Sequence, residues 1–160
     1  MLGIKLICVG KLKEQFYTDA AREYAKRLSA YCKLDIHELP EHRLPDTPSD
    51  AQIAIALGKE RAAIEAKIPA GALTVAMCVE GLEIDSPGLS ELLTDSTVQG
   101  TSHFCFMIGG SNGLHDEIKS KANVRLSMSK MTLPHNLARV VLLEQLYRAF
   151  TIAEGGKYHK

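Results

Sequence analysis

The sequence predicts an α/β domain, a largely parallel sheet with helices on both faces. Three observations predict it. Short continuous apolar runs at residues 4–9, 72–79 and 103–108 have the length and composition of strands buried on both sides. Segments of helical periodicity alternate with these runs along the whole chain. Each run stops at or near glycine, at Gly10, at Glu80-Gly81 and at Gly109-Gly110. With 160 residues and no repeat, linker or low-complexity segment, residues 1–160 read as one domain.

The elements follow in order. Residues 4–9 form the first strand. Residues 14–31 carry Phe16, Ala20, Tyr24 and Leu28 at helical spacing, an amphipathic helix. Residues 33–39 alternate polar and apolar, a half-exposed strand with His37 on its polar side. Residues 40–48 are proline-rich and charged, a loop without periodicity and a candidate for mobility. Ser49 and Gln52 have the spacing of a capping box, which starts a helix that runs to about residue 68 and breaks at Pro69-Ala70-Gly71. Residues 72–79 are a buried strand. Ser86 as cap, with Pro87 in the first helical position, opens a third helix that ends by Gly100. Residues 103–108 are the next strand, 109–113 its loop, 114–121 a short helix and 124–128 a last short strand. Pro134 or His135 opens the final helix, which Gly155-Gly156 ends.

Composition narrows the class. At 46% hydrophobic and 24% charged, the chain reads as a soluble globular protein. No apolar run approaches the ~20 residues of a membrane span, and the first residues lack the pattern of a signal peptide, so a cytoplasmic location is expected. Cys8, Cys78 and Cys105 lie in strand-like runs and Cys32 follows a helix, with no CxxC or Cys/His spacing, so buried thiols and no metal are expected. Residues 119–160 hold eight Lys/Arg and two acids, whereas residues 1–118 hold eleven bases and seventeen acids. A basic end on a neutral protein reads either as a local anion site or as scattered solvated charge. Net neutrality argues against tight general binding to free nucleic acid.

The final helix carries few charges, and Val140, Val141, Leu142, Leu143, Leu146, Tyr147, Phe150 and Ile152 spread around it. Such a helix is covered on more than one side. The expectation is a homodimer contact, with a central helix inside one core as the alternative.

Open α/β sheets take ligands at the carboxyl ends of their strands. Three strand ends here carry suitable loops, at residues 77–81, 108–113 and 128–134. The Gly109–Gly113 loop is neither GxGxxG nor a Walker loop, and no GxSxG elbow is present. Read alone, these loops leave turn and cofactor cradle both open.

In combination they carry a resemblance. Phe-Met-Ile-Gly-Gly-Ser-Asn-Gly-Leu at 106–114, Leu-Ser-Met-Ser-Lys-Met-Thr-Leu-Pro-His at 126–135, Arg139, Glu-Gln-Leu-Tyr-Arg-Ala at 144–149 and the closing Tyr158-His159-Lys160 resemble the ribosomal RNA large subunit methyltransferase H family, small members of the SPOUT superfamily. Val-Gly-Lys-Leu-Lys at 9–13 fits too, and the match covers essentially the whole chain. The resemblance implies a SPOUT-type sheet whose C-terminal segment forms a trefoil knot, a homodimer, and an S-adenosylmethionine site in the knot. By motif position it assigns the cofactor to Met77, Gly109, Gly110, Met128, Ser129, Lys130, Met131, Thr132 and Leu133. It implies methylation of a pseudouridine at its N3 imide nitrogen, in large-subunit ribosomal RNA within the assembled ribosome. That nitrogen carries a proton at neutral pH, so a base or anion-stabilising cations are needed. Tyr158, His159, Arg139 and His135 are the candidates. A histidine accepts protons close to neutral pH, and an arginine better suits phosphate or carbonyl oxygens. The rivals are a non-catalytic ribosome-associated RNA-binding factor and a SPOUT enzyme acting on transfer RNA.

Overall fold

The computed structural model describes Met1–Lys160. Strands and helices alternate strictly: β1 (Leu2–Val9), α1 (Gln15–Leu28), β2 (Cys32–Leu39), α2 (Asp50–Glu65), β3 (Leu73–Glu83), α3 (Ser86–Val98), β4 (His103–Ile108), α4 (Asp116–Lys121), β5 (Val124–Ser127) and α5 (His135–Ala153). The five strands form one parallel sheet in the order β2-β1-β4-β3-β5.

The continuous apolar runs are explained by a sheet covered on both faces. Alternation along β1 sends Ile4, Leu6 and Cys8 to one side and Ile7 and Val9 to the other. Along β4, Phe104, Phe106 and Ile108 join the first group, while Cys105 and Met107 join the second. The first face packs on Ala21 and Leu28 of α1, Leu89 and Leu93 of α3, and Leu142, Leu143 and Leu146 of α5. The second packs on Ile64 of α2 and Ile118 of α4. Phe104 and Phe106 are wholly buried, and burial of one such side chain stabilises by about 1.5–3 kcal/mol.

Helix α5 lies against both α1 and α3. Ser90 Oγ donates to the Ala149 carbonyl at 2.7 Å, and Ser86 Oγ donates to Gln145 Oε1 at 2.6 Å. Tyr31 stacks on Phe150, with centroids 5.6 Å apart, and meets Tyr147 edge-on. One chain thus covers α5 from the sheet and from both flanks, which accounts for part of the apolar circumference without a second subunit.

Local chemistry sets the boundaries, with differences from the sequence reading. Ser49 and Gln52 make the reciprocal capping box of α2, which stops at Glu65 rather than near residue 68. Helix α3 is capped by Asp85, whose Oδ1 accepts the Gly88 N–H at 2.8 Å, and Ser86 is its first residue instead of its cap. Helix α4 starts two residues late because His115 Nδ1 accepts the Glu117 N–H and caps it. Strand β3 does not end at Glu80-Gly81. It slips register between Met77 and Leu82, so both residues face Leu126 of β5, and pairing resumes to Glu83. Gly81 permits this, because a Cβ there would sit 2.8 Å from the β5 backbone at Leu126.

Candidate active site

The carboxyl ends of β3, β4 and β5 enclose a cavity of about 690 Å³. Its walls are Met77–Glu80 from β3, Ile108–Leu114 beyond β4, and most of the segment from Leu126 to His135 beyond β5. The volume is in the ~300–1,000 Å³ range of small-molecule sites. The lining mixes apolar side chains (Ile108, Leu114, Leu126, Met128, Leu133) with glycine and serine backbone.

Each wall is fixed locally. The Gly113 N–H donates to the Gly110 carbonyl at 3.0 Å and closes the glycine turn. A Cβ on Gly109 would run into the Gly113 carbonyl and lie 2.8 Å from Leu114 N. A Cβ on Gly110 would meet Glu41 Oε1 at 2.6 Å. Glu41 uses that oxygen to accept the Ser111 N–H at 2.8 Å, tying the 40–48 loop to the glycine turn. On the other wall, Ser127 Oγ donates to the Ser129 carbonyl at 2.9 Å, and Ser129 Oγ accepts the Met131 N–H at 3.0 Å. These bonds hold residues 127–131 as a rigid turn. Gly109→Ala is therefore expected to deform the cavity at a cost of about 1–3 kcal/mol or more, and to weaken any ligand held there at least about tenfold. Calorimetry and melting curves check this. Gly58→Ala, with open space around its site in α2, should be neutral to stabilising.

The structure distributes the sequence-derived residues unevenly. Met77, Gly109, Gly110, Met128, Ser129, Met131, Thr132 and Leu133 all line the cavity, but Lys130 does not and is exposed. Of the four candidates for proton chemistry, His135 alone reaches the cavity. Arg139 sits behind it, where Nη1 donates to Glu38 Oε2 at 2.6 Å and Nη2 donates to the Gly10 carbonyl at 3.0 Å. Its side chain is 4% exposed, so the guanidinium is a buried brace and not a free anion hook. Burial pushes the Glu38 carboxyl up, but bonds from Arg139 and the Leu12 N–H outweigh it and leave the pKa below the ordinary value. Tyr158 and His159 lie on the outer side of α5. Tyr158 Oη donates to Glu144 Oε1 at 3.2 Å, its ring meets Tyr147 at 4.8 Å, and His159 Nδ1 pairs with Arg148 Nη1 at 3.2 Å. Partial burial and the Glu144 carboxylate both raise the Tyr158 pKa, which keeps the phenol a donor in this position.

The basic end of the sequence also looks different in three dimensions. Lys119 pairs with Glu80 at 2.6 Å, Arg139 with Glu38 at 2.6 Å, Arg148 with Glu144 at 2.6 Å and Lys121 with Glu117 at 3.5 Å. Half of the eight cations are thus neutralised by carboxylates. Glu80 and Lys119 both line the cavity wall: Glu80 falls in the expected 77–81 loop without being singled out, and Lys119 lies outside all three expected loops. Their mutual bond holds the Glu80 carboxyl low and the Lys119 amine high. The signal for Glu80 is its place directly after the apolar run 72–79, where that run reads as ending.

Comparison with known proteins places this geometry. A model described as "Predicted SPOUT methyltransferase" matches residues 2–159. A protein of Streptococcus equi subsp. zooepidemicus named "Ribosomal RNA large subunit methyltransferase H" is 47% identical over 159 residues, covering 99% of this chain and all of that one. A protein of the same name from Streptococcus sanguinis is 46% identical over the same span. The chain belongs to the ribosomal RNA large subunit methyltransferase H family of SPOUT methyltransferases. Solved structures agree on the fold. A probable methylase family protein from Haemophilus influenzae superposes with a TM-score of 0.58 at 16% identity, covering 100% of this chain and 72% of that one. A probable methyltransferase from Bordetella pertussis gives 0.56 at 17% identity, covering 92% and 96%. In this SPOUT methyltransferase no group of three or more His, Cys, Asp or Glu is arranged to hold a metal ion, and no helix is long and apolar enough to cross a membrane.

The thiols report on the cavity. Burial pushes Cys8 up to about 12 and Cys32 and Cys105 up to about 11. Cys78 is half-buried and lines the cavity, with its pKa raised by burial and by Glu80. A thiol reagent at neutral pH should therefore modify Cys78 first in the folded methyltransferase, and a bound ligand should slow that reaction. Peptide mapping after brief labelling checks the order.

Proposed function

We propose that the chain uses S-adenosylmethionine to methylate the N3 imide nitrogen of a pseudouridine in large-subunit ribosomal RNA, acting on assembled ribosomes in the cytoplasm. The observation that carries this reading is the cavity at the carboxyl ends of β3, β4 and β5, in a chain that full-length relatives named for ribosomal RNA methylation match end to end. Its residues suit the cofactor. Ile108, Leu126 and Leu133 offer apolar contact for adenine, the glycine turn brings backbone groups within reach, and Glu80 can accept from ribose hydroxyls.

When bound, the cofactor supplies an electrophilic methyl group on a sulfonium, so no metal is called for. The protein must align the nucleophile, exclude water and accept one proton. His135, at the first turn of α5, is the acceptor nearest the cavity within one chain. Tyr158 and His159 reach such a site by leaving Glu144 and Arg148, and the tail of a second subunit can serve as well as the chain's own. The homodimer is supported by a groove of about 300 Å³ between the β3–β5 edge and α5, lined by Ile84, Leu89, Val141 and Leu142, with Leu82 of β3 62% exposed nearby. Light scattering tests it. The trefoil knot is supported by the path after β5. The chain leaves the outer edge of the sheet, and within the first turn and a half of α5 Arg139 bonds to Gly10 at the end of β1, on the far side of β3 and β4.

Methyl incorporation from labelled S-adenosylmethionine into intact ribosomes, free ribosomal RNA and transfer RNA, with the modified base located by mass spectrometry, tests the activity. Incorporation into transfer RNA alone points to the other SPOUT substrate class. No calorimetric heat and no thermal shift with the cofactor points to a non-catalytic factor.

A further inference from the structure

Beside the methyl-donor cavity lies a second cleft of about 650 Å³, at the carboxyl end of β1. It shares Ser111, Asn112 and His135 with the first. Lys11 and Lys13 come from the β1–α1 loop, and His42 and Arg43 from the β2–α2 loop. Leu44 and three prolines are its only other apolar lining. Lys11, Lys13 and Arg43 are outside every ion pair, unlike Lys119, Lys121, Arg139 and Arg148 of the C-terminal third, and all three are exposed. Glu41 is the one carboxylate in the lining, and its Oε1 already accepts the Ser111 N–H.

We infer that this cleft is the track for the RNA backbone, holding phosphates on Lys11, Lys13 and Arg43 so that the target base enters the adjoining cavity past His135. The inference rests on the reading of the chain as an RNA methyltransferase. The loop carrying His42 and Arg43 is clipped at two points, by Glu41 to the glycine turn and by the His42 N–H donating to Glu60 Oε2 at 3.3 Å. The cations are thus set relative to the methyl-donor site before RNA arrives. Asn136, also in the lining, has a buried Oδ1 with no hydrogen-bond partner. Phe16, three residues past Lys13 at the start of α1, is 66% exposed, an aromatic face of the kind on which unpaired bases stack.

The test is the triple variant Lys11→Gln/Lys13→Gln/Arg43→Gln, measured for ribosome binding by sedimentation across a salt series and, separately, for methyl transfer. Expected are a Kd for ribosomes at least about tenfold higher, and a slope of log K against log salt reduced by roughly 2–3, about one for each phosphate left without its cation. S-adenosylmethionine affinity and melting temperature should match the wild type. Equal ribosome binding by the variant and the wild type overturns the cleft. So does a loss of cofactor affinity in the variant, which would assign the cations to the cofactor's carboxylate. If the wild type binds ribosomes but transfers no methyl group, the activity fails, and the binding comparison still decides the cleft.

Discussion

Arg139→Met is expected to lower the melting temperature by roughly 5–10 °C, from a loss of about 2–3 kcal/mol in a domain of this size. Removing one partner of a fully buried pair costs about 3–5 kcal/mol. The smaller figure applies because Glu38 is 33% exposed and can recover some hydration. The variant also frees the Gly10 carbonyl, so the ends of β1 and β2 lose their tie to α5. The pH dependence separates this from simple packing. The Glu38 pKa is lowered in the folded protein, so its contribution is complete above the carboxylate range of the unfolded chain and disappears as pH falls through the folded value. The stability gap between wild type and variant should therefore close on acidification. Denaturant melts at neutral and acid pH measure it, and a gap that stays constant would assign the loss to packing alone.

Deletion of residues 157–160 should cut the methyl-transfer rate by about 10²–10⁴, the usual contribution of a positioned proton acceptor. Cofactor affinity should stay within about twofold and the oligomeric state should not change. The melting temperature should move little, because the bonds of Tyr158 and His159 to Glu144 and Arg148 are only partly buried. Full activity in the shortened protein would remove the tail from the mechanism and leave His135 as the remaining acceptor at the cavity. Single-turnover rates with saturating cofactor separate a chemical defect from weakened binding.

What the sequence reveals follows the range of the interactions involved. Residues 4–9 and 103–108 are legible as strands because burial on both faces leaves an unbroken apolar run. The Ser49–Gln52 box is legible because both partners lie within one turn. Asp85 is hard to tell from Ser86 as the cap of α3, since either residue can cap and only the backbone decides. The continuation of β3 past Gly81 is hidden because its cause, the close approach of β5, lies more than forty residues away. The same limit applies to charge. Lys119 and Arg139 count as free cations in a linear tally, but Glu80 and Glu38 neutralise them from distant strands. Conversely, Lys11 and Lys13 stand out only through the likeness at 9–13, His42 and Arg43 not at all, and the four become one cleft only when β1 and β2 lie side by side. The cavity-lining residues are located through the family likeness, which encodes long-range placement that local periodicity lacks.

The strand order also sets when the protein can become itself during synthesis. Strand β1 has two neighbours in the sheet. Leu2 pairs with Cys32, which follows soon after, but Gly3 pairs with His103, which is made only when most of the chain exists. Until then Ile4, Leu6 and Ile7 have a strand on one edge only, and the walls of the cavity at the ends of β3, β4 and β5 are still unmade. A nascent chain halted before β4 should expose an apolar edge, stay protease-sensitive and bind no cofactor. Folding is consequently expected to be slow and late, because closing such distant pairs is entropically costly before any contact repays it. For an enzyme proposed to work on ribosomes, the newly made copy is thus competent only after most of it has left the one that produced it.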